Sequence, residues 1–244
     1  MDIVKRSLEY LTKSPGGADD RGMSDRAAKD ALFDSFADVA KALASGRRAE
    51  IVDLLGQGER SVDEVAAEIG QSAANTSQHL RVLLRSGLVV TRREGTRVFY
   101  ALANDRVGEL WRALRDVAAD RVAGFDDLAR AYLGDREGVE IVGRTELARR
   151  LRQGDVVLLD VRPAVEFNAA HIAGARAVPL AELRRHLRSI PADADVVAYC
   201  RGPYCVYADE AVRLLRRRGF AARRLEDGFP EWHRARLPVV RGAD

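Results

Sequence analysis

Two soft nucleophiles stand five positions apart in the run Cys200-Arg201-Gly202-Pro203-Tyr204-Cys205. An apolar run, DVVAYC, leads into them, and helical spacing follows at 204–218. That order predicts a strand, a tight loop and a helix amino terminus, with Cys200 at the carboxyl end of the strand, where open α/β sheets place ligand sites. Loop amides turned toward a sulfur make an anion nest, and the helix end adds positive potential. A thiol that ionises near ~8.5 in water is expected to ionise lower there. Gly202 permits tight curvature and Arg201 adds charge at the mouth. The chemistry that fits is sulfur transfer: the Cys200 thiolate takes a sulfur atom, the same amides hold the persulfide, and a second thiol removes it. Cys205 has two readings, a small buried residue or a resolving thiol that bridges to Cys200 as a disulfide or polysulfide. Phosphatase chemistry is disfavoured, because it needs a Cys-x5-Arg loop and Val206 stands six positions after Cys200.

A second constellation suits nucleic acid. Between residues 71 and 99, five arginines (Arg81, Arg85, Arg92, Arg93, Arg97) face one acid, Glu94. Charge alone leaves a solvated surface as an equal reading, but the local pattern says more. Ser61 followed by Glu64 is a capping box opening one helix, with Val62, Val65, Ala66 and Ile69 on a single face. Gly70 ends it and Ser72 can cap a second helix over 73–86. There Thr76, Leu80, Leu83 and Leu84 are expected inward, and Ala73, Ala74, Ser77, Gln78 and Arg81 outward, with His79 at the edge. His79 reads as a partly buried helix residue or as a base contact. Two short helices joined by a tight turn make a helix-turn-helix whose second helix can reach base edges. The alternating residues 88–93 and 96–100 around Glu94-Gly95 predict a hairpin. Its Arg92, Arg93 and Arg97 would contact phosphates, which gives affinity rather than specificity.

The elements that carry these residues define the organisation. The chain has 244 residues, 47% hydrophobic and 32% charged, with a net charge of +3 and two cysteines. That length suggests two domains. It is too rich in apolar residues for wholesale disorder, and its cysteines are too few for a disulfide-stapled fold or a four-cysteine zinc site. No apolar run is long enough to span a bilayer and the first residues lack a signal-peptide pattern, so a cytoplasmic protein without membrane contact is expected. Residues 1–25, broken by Pro15-Gly16-Gly17, are expected to be a mobile arm, with a short helix over 3–11 as the alternative. Residues 26–133 read as mainly helical with one strand pair, and 134–138 as a linker with glycines at both ends. From 139 to 241, short apolar runs (156–159, 196–199, 221–225) alternate with amphipathic segments, which predicts a parallel sheet covered by helices. The fold class is thus two domains: a mainly α winged helix-turn-helix, then an α/β domain.

The stretch SVDEVAAEIGQSAANTSQHLRVLLRSGLVVTRREGTRVFYAL resembles the ArsR-type winged-helix regulators, on Ser77, His79, Leu80 and Leu83, the GLV run and the wing. The resemblance implies binding to a double-stranded DNA operator as a homodimer, with interface helices near 31–44 and 105–123 and half-sites ~34 Å apart. It departs from the metal-sensing members: no cysteine precedes residue 200, and His79 is the only histidine of the first domain, so no metal or other cofactor is expected. Trp111 and Phe125 read as core or dimer packing rather than as a ligand pocket.

The segments LLDVRPAVEFNAAHIAGARAVPL, YCRGPYC and LEDGFPEWHRARLPV resemble the rhodanese domain over 139–241. The resemblance implies a sulfurtransferase fold with a persulfide on Cys200 and an active loop of Arg201, Gly202, Pro203, Tyr204 and Cys205. Asp160 and Arg162 would support the loop, Glu166 would pair with Arg162, and His171 would pack nearby. Ordinary ion pairs and turn packing explain these four equally well. Two departures stand out: Cys205 ends the loop, and Asp227 precedes Gly228 where a glycine pair is frequent. Together the modules suggest a repressor that senses or transfers sulfane sulfur, with a sulfane-sulfur donor or acceptor as partner. The alternatives are a working sulfurtransferase that uses the winged helix to dimerise or dock, and a repressor whose rhodanese domain binds a protein.

Overall fold

The computed structural model describes residues 20–242 except 135 and 137. The expected arm and the helix over 3–11 lie outside the described residues up to position 19, and the arm's last six residues are helical. The chain divides into two compact units, Met1–Ala44 and Ser45–Asp244. The described part of the first is one helix, α1 (Asp20–Leu43). It leaves Leu32, Phe33 and Phe36 exposed, the two rings edge-to-face at 5.7 Å.

The second unit begins with α2 (Gly46–Leu55) and β1 (Arg60–Ser61), then α3 (Val62–Glu68) and α4 (Ala73–Arg85). The local signals act as expected. The Ser61 hydroxyl accepts from the Glu64 amide while the Glu64 carboxylate accepts from the Ser61 amide, and Ser72 caps α4 through the Asn75 amide. The wing is β2 (Val89–Glu94) paired antiparallel with β3 (Arg97–Leu102), and β1 adds to the far edge of β3. Gly95 turns the hairpin at φ +58°, a conformation that favours glycine. Thr76, Leu80 and Leu83 are buried, but Leu84 is 38% exposed, so the inward face of α4 is narrower than its periodicity implied. Helices α5 (Asp105–Arg121) and α6 (Phe125–Leu133) complete this half.

The following half is built on β4 (Ile141–Val142), β5 (Val157–Asp160), β7 (Arg176–Ala177), β8 (Asp195–Tyr199) and β9 (Ala221–Leu225). They form a parallel sheet in the order β4-β9-β8-β5-β7. Alternation along the strands supplies two cores. Leu159, Val196 and Ala198 face one layer, while Leu158, Val197 and Tyr199 face the other with Leu147 and Trp232. The covering helices are α7 (Arg144–Gln153), α8 (Ala164–Ala169), α9 (Leu183–His186), α10 (Tyr207–Arg216) and α11 (Phe229–Arg234). A separate antiparallel pair joins β6 (Ala170–Ile172) to β10 (Val239–Arg241). Helix α10 starts three residues later than its periodicity indicated, because the loop after β8 occupies that span. Strands β4 and β7, of two residues each, are too short for any periodicity to show.

Candidate sulfur-handling site

Cys200 directly follows β8, so its backbone leaves the sheet at the carboxyl end, as the strand pattern required. Its side chain is buried at 1% exposure among Val161, Val178, Leu183, Ala198 and Ala208. The loop curls back on itself: the Cys205 amide donates to the Gly202 carbonyl at 3.2 Å. Gly202 has φ +155°, a value glycine tolerates best. Across the loop Gly228 is packed so closely that a Cβ would meet the Gly202 nitrogen at 2.3 Å, which explains the glycine after Asp227.

The proton distribution differs from the expectation of a thiolate on Cys200. Burial pushes the Cys200 thiol well above its ordinary range, and the neighbouring Cys205 sulfur adds to this. The amides of Gly202 and Ala208 turn toward the Cys200 sulfur and oppose the shift without cancelling it. The carbonyls of Gly202 and Cys205 lie 3.8 and 3.7 Å from that sulfur, as alternative acceptors for its one proton. Cys205 moves the other way, down to about 7, because the Cys200 thiol donates to it and the amides of Tyr207 and Arg201 face it. Among the pair, the anion therefore resides on Cys205.

Behind the loop lies a charge network. Asp160 accepts from Arg162 at 2.6 Å and from the Tyr199 hydroxyl at 2.6 Å, all buried. Arg162 also donates to the Ala170 carbonyl and stacks on Phe229 at 4.5 Å. Burial works against its charge, but the Asp160 carboxylate outweighs it and holds the guanidinium protonated. His171 is buried, bonded through Nδ1 to the Phe167 carbonyl and stacked on that ring. Glu166 does not take Arg162 as its main partner: that approach is 3.9 Å. Its carboxylate instead accepts from Arg201 at 2.6 Å and from Arg60 of β1 at 2.8 Å.

This last contact ties the loop to the winged-helix half. Arg201 pairs with Glu166 and also with Glu68 of α3, and the two carboxylates outweigh its burial. Gln57 donates to the Arg201 carbonyl at 3.3 Å and accepts from Arg162. Arg115 of α5 reaches Glu231 at 2.9 Å, and Glu231 in turn accepts from the Gly228 amide. Arg136, within the expected linker, donates to the Pro203 carbonyl and to the buried Asp209. Gln57, Arg60, Glu68, Arg115, Arg136 and Glu231 were not foreseen, since each meets a partner far away in sequence or lies in a segment without periodicity.

A cavity of about 510 Å³ opens where α2, α3, α5 and α6 face the loop. Trp111 and Phe125 line it, together with Tyr132, Tyr204 and Cys205, so these two aromatics border a cavity rather than only filling a core. Trp111 is held by a 2.6 Å bond to Asp53, and Phe125 meets Tyr204 edge-on at 5.5 Å.

On the other side of the winged-helix half, Ala73, Ala74, Gln78 and Arg81 are exposed on α4, and Ser77 and His79 are half-buried. Arg93 and Arg97 stand exposed on the wing with no ion pair among the described residues. Arg92 differs: Glu59 and Glu94 both bind it, and it lies over Phe99 at 4.8 Å. No helix among the described residues is long and apolar enough to cross a membrane.

Comparison with known proteins agrees with this architecture. Residues 45–91 match the family described as bacterial regulatory protein, arsR family, and residues 144–235 match the rhodanese-like domain. The chain is 46% identical over 222 residues to the HTH-type transcriptional regulator Rv0324 of Mycobacterium tuberculosis, covering 91% of this chain and 96% of the relative. It is 38% identical over 102 residues to the uncharacterized HTH-type transcriptional regulator Rv0081 of the same organism, covering 40% and 90%. A solution structure of the homodimeric winged helix-turn-helix DNA-binding domain Mb0332 from Mycobacterium bovis, 40% identical, covers 45% of this chain and 94% of its own, with a TM-score of 0.38. With its winged helix-turn-helix and parallel-sheet half both matched, and a full-length regulator aligned almost end to end, the chain belongs to the arsR family of transcriptional regulators and carries a rhodanese-like domain behind the DNA-binding fold.

Proposed function

We propose that this regulator is a cytoplasmic, homodimeric repressor that binds operator DNA and releases or tightens it according to sulfane sulfur carried as a persulfide on Cys200. The observation that carries the reading is the double attachment of Arg201. Its side chain is held by Glu68 of α3 and by Glu166, which also binds Arg60, and its carbonyl is held by Gln57. Cys200 is enclosed at 1% exposure among core residues, so an added sulfur atom there presses on the loop backbone. Any displacement strains contacts that end on the first helix of the helix-turn-helix. A ligand shifts such an equilibrium only by its differential affinity, typically ~1–3 kcal/mol of coupling.

Base contacts are assigned to Ala74, Ser77, Gln78, His79 and Arg81, and phosphate contacts to Arg93 and Arg97. Arg92 joins them by exchanging Glu59 for a phosphate, since exposed ion pairs are weak. Dimerisation is assigned to the exposed apolar stripes of α1 (Leu32, Phe33, Phe36) and of α5 (Leu110, Leu114, Val117). Enclosure of Cys200 favours a sensor that loads over a turnover enzyme. The test begins with a duplex selected from a random pool by the purified protein. Its affinity is then measured with and without glutathione persulfide for the wild type and Cys200→Ser. A change of about tenfold in the wild type alone is expected; equal affinities in all four cases would remove sulfur sensing. Thiocyanate production from thiosulfate and cyanide at enzymatic rates would favour the sulfurtransferase reading instead.

A further inference from the structure

We propose that Cys205 is the first sulfur acceptor of this chain, and that the cavity it lines is the docking site for a small organic persulfide, from which sulfur passes inward to Cys200. This rests on the sulfur-sensing reading above and adds the route and the donor class.

Three observations carry it. Cys205 is among the residues lining the 510 Å³ cavity, whereas Cys200 is not and is 1% exposed. The volume suits a small ligand, since such sites run from ~300 to ~1,000 Å³. The walls combine aromatic faces from both halves (Trp111, Phe125, Tyr132, Tyr204) with guanidiniums of Arg115 and Arg201 that are already paired to carboxylates. With the acids Glu50, Asp53 and Glu68 on the same wall, a dianion such as thiosulfate is poorly matched. An organic persulfide whose carbon part rests on the rings and whose ammonium meets those acids is matched better. The lowered ionisation of Cys205, to about 7, agrees with this order, as does the protonated state of Cys200.

The steps balance. The Cys205 thiolate attacks the outer sulfur of R–S–SH; the donor's S–S bond breaks and its electron pair leaves on RS⁻, which takes the persulfide proton. This gives RSH and Cys205–S–S⁻. Cys200–SH first gives its proton to the outer sulfur of Cys205–S–S⁻, and the resulting Cys200 thiolate attacks that now neutral sulfur; a new S–S bond forms at Cys200, the one at Cys205 breaks with its electron pair on the Cys205 sulfur, and that sulfur takes the proton back. The products are Cys200–S–S⁻ and Cys205–SH. No net oxidation accompanies the transfer, and the Gly202 and Ala208 amides already face the Cys200 sulfur to which the new anion is attached.

The experiment exposes full-length protein to glutathione persulfide, quenches with an alkylating reagent at successive times, and digests with trypsin. Cleavage after Arg201 places the two cysteines on different peptides, so the added sulfur is located directly. In the wild type, sulfur is expected on the Cys205 peptide first and on the Cys200 peptide later. Cys200→Ala should still take one sulfur, at Cys205. Cys205→Ala should load Cys200 at least tenfold more slowly, and Ala49→Trp, which fills the cavity from α2, should slow loading of both. Thermal melts identify any variant that fails to fold, and the wild-type time course stands without the variants. Sulfur arriving at Cys200 first, or at wild-type rate in folded Cys205→Ala, would overturn the proposal. Operator binding that ignores persulfide, with Cys205 still loaded first, would remove the sensing reading and leave the route intact.

Discussion

At Glu166 one buried carboxylate oxygen serves two guanidiniums, Arg60 and Arg201, that reach it from positions 106 and 35 residues away. Removing one partner of a buried pair strands the others in a low dielectric, at a cost of ~3–5 kcal/mol. Urea denaturation of Glu166→Gln should show a loss of that size. Glu68→Gln, whose side chain is 31% exposed, should lose clearly less. The cysteines make a second residue-scale prediction. Because the thiolate is the reactive form, alkylation of Cys205 by iodoacetamide should rise with pH through a midpoint near 7, with Cys200 unlabelled over the same range. In Cys200→Ala the S–H donor is gone, and the midpoint should move up toward the ~8.5 of a free thiol. A midpoint that stays near 7 would mean that the amides, and not Cys200, lower it.

At the scale of elements, the loop after β8 keeps its path because Gly228 lets α11 approach it. Gly228→Ala forces backbone against backbone, since the nearest atom is the Gly202 nitrogen and no flexible side chain can yield. A loss of ~1–3 kcal/mol is expected, of the kind overpacking causes. It should be accompanied by slower sulfur loading at Cys200; unchanged melting and unchanged loading would show that the loop relaxes freely. Gly46→Ala is the control for stability alone, because a Cβ there meets nothing within 4 Å but the residue borders the cavity. The elements were also where the sequence was most legible. Ser61 and Glu64 are three residues apart, and Ser72 meets the Asn75 amide, so both caps follow from local spacing. The helix-turn-helix and the wing are periodic, and strands β5, β8 and β9 fall on short apolar runs, so all can be read directly. Two-residue strands carry no period. The partners of Glu166 and Arg201 could not be read, because nothing local distinguishes an arginine that will meet a carboxylate a hundred residues later. The ionisation of the cysteines was misjudged for the same reason: the loop amides were inferable, but the enclosure of Cys200 depends on tertiary packing.

At the scale of the whole molecule, the second unit carries both halves in one compact body, and charges from one neutralise charges of the other. Arg60 and Glu68 complete the network that holds Glu166 and Arg201. The segment 139–244 expressed alone should therefore melt at a lower temperature than the same half within the full chain, followed by tryptophan fluorescence of the core residue Trp232 in a Trp111→Phe background. Equal melting temperatures would show that the two halves are energetically independent. Arg136 carries this point further. A connector that grips the Pro203 carbonyl and Asp209 is part of the machinery it connects. Swapping it for a flexible glycine-serine tether, or transplanting either half into a chimera with a foreign partner, would sever a mechanical joint while preserving both folds. Engineers seeking a modular biosensor from this scaffold should keep the hinge with its cassette.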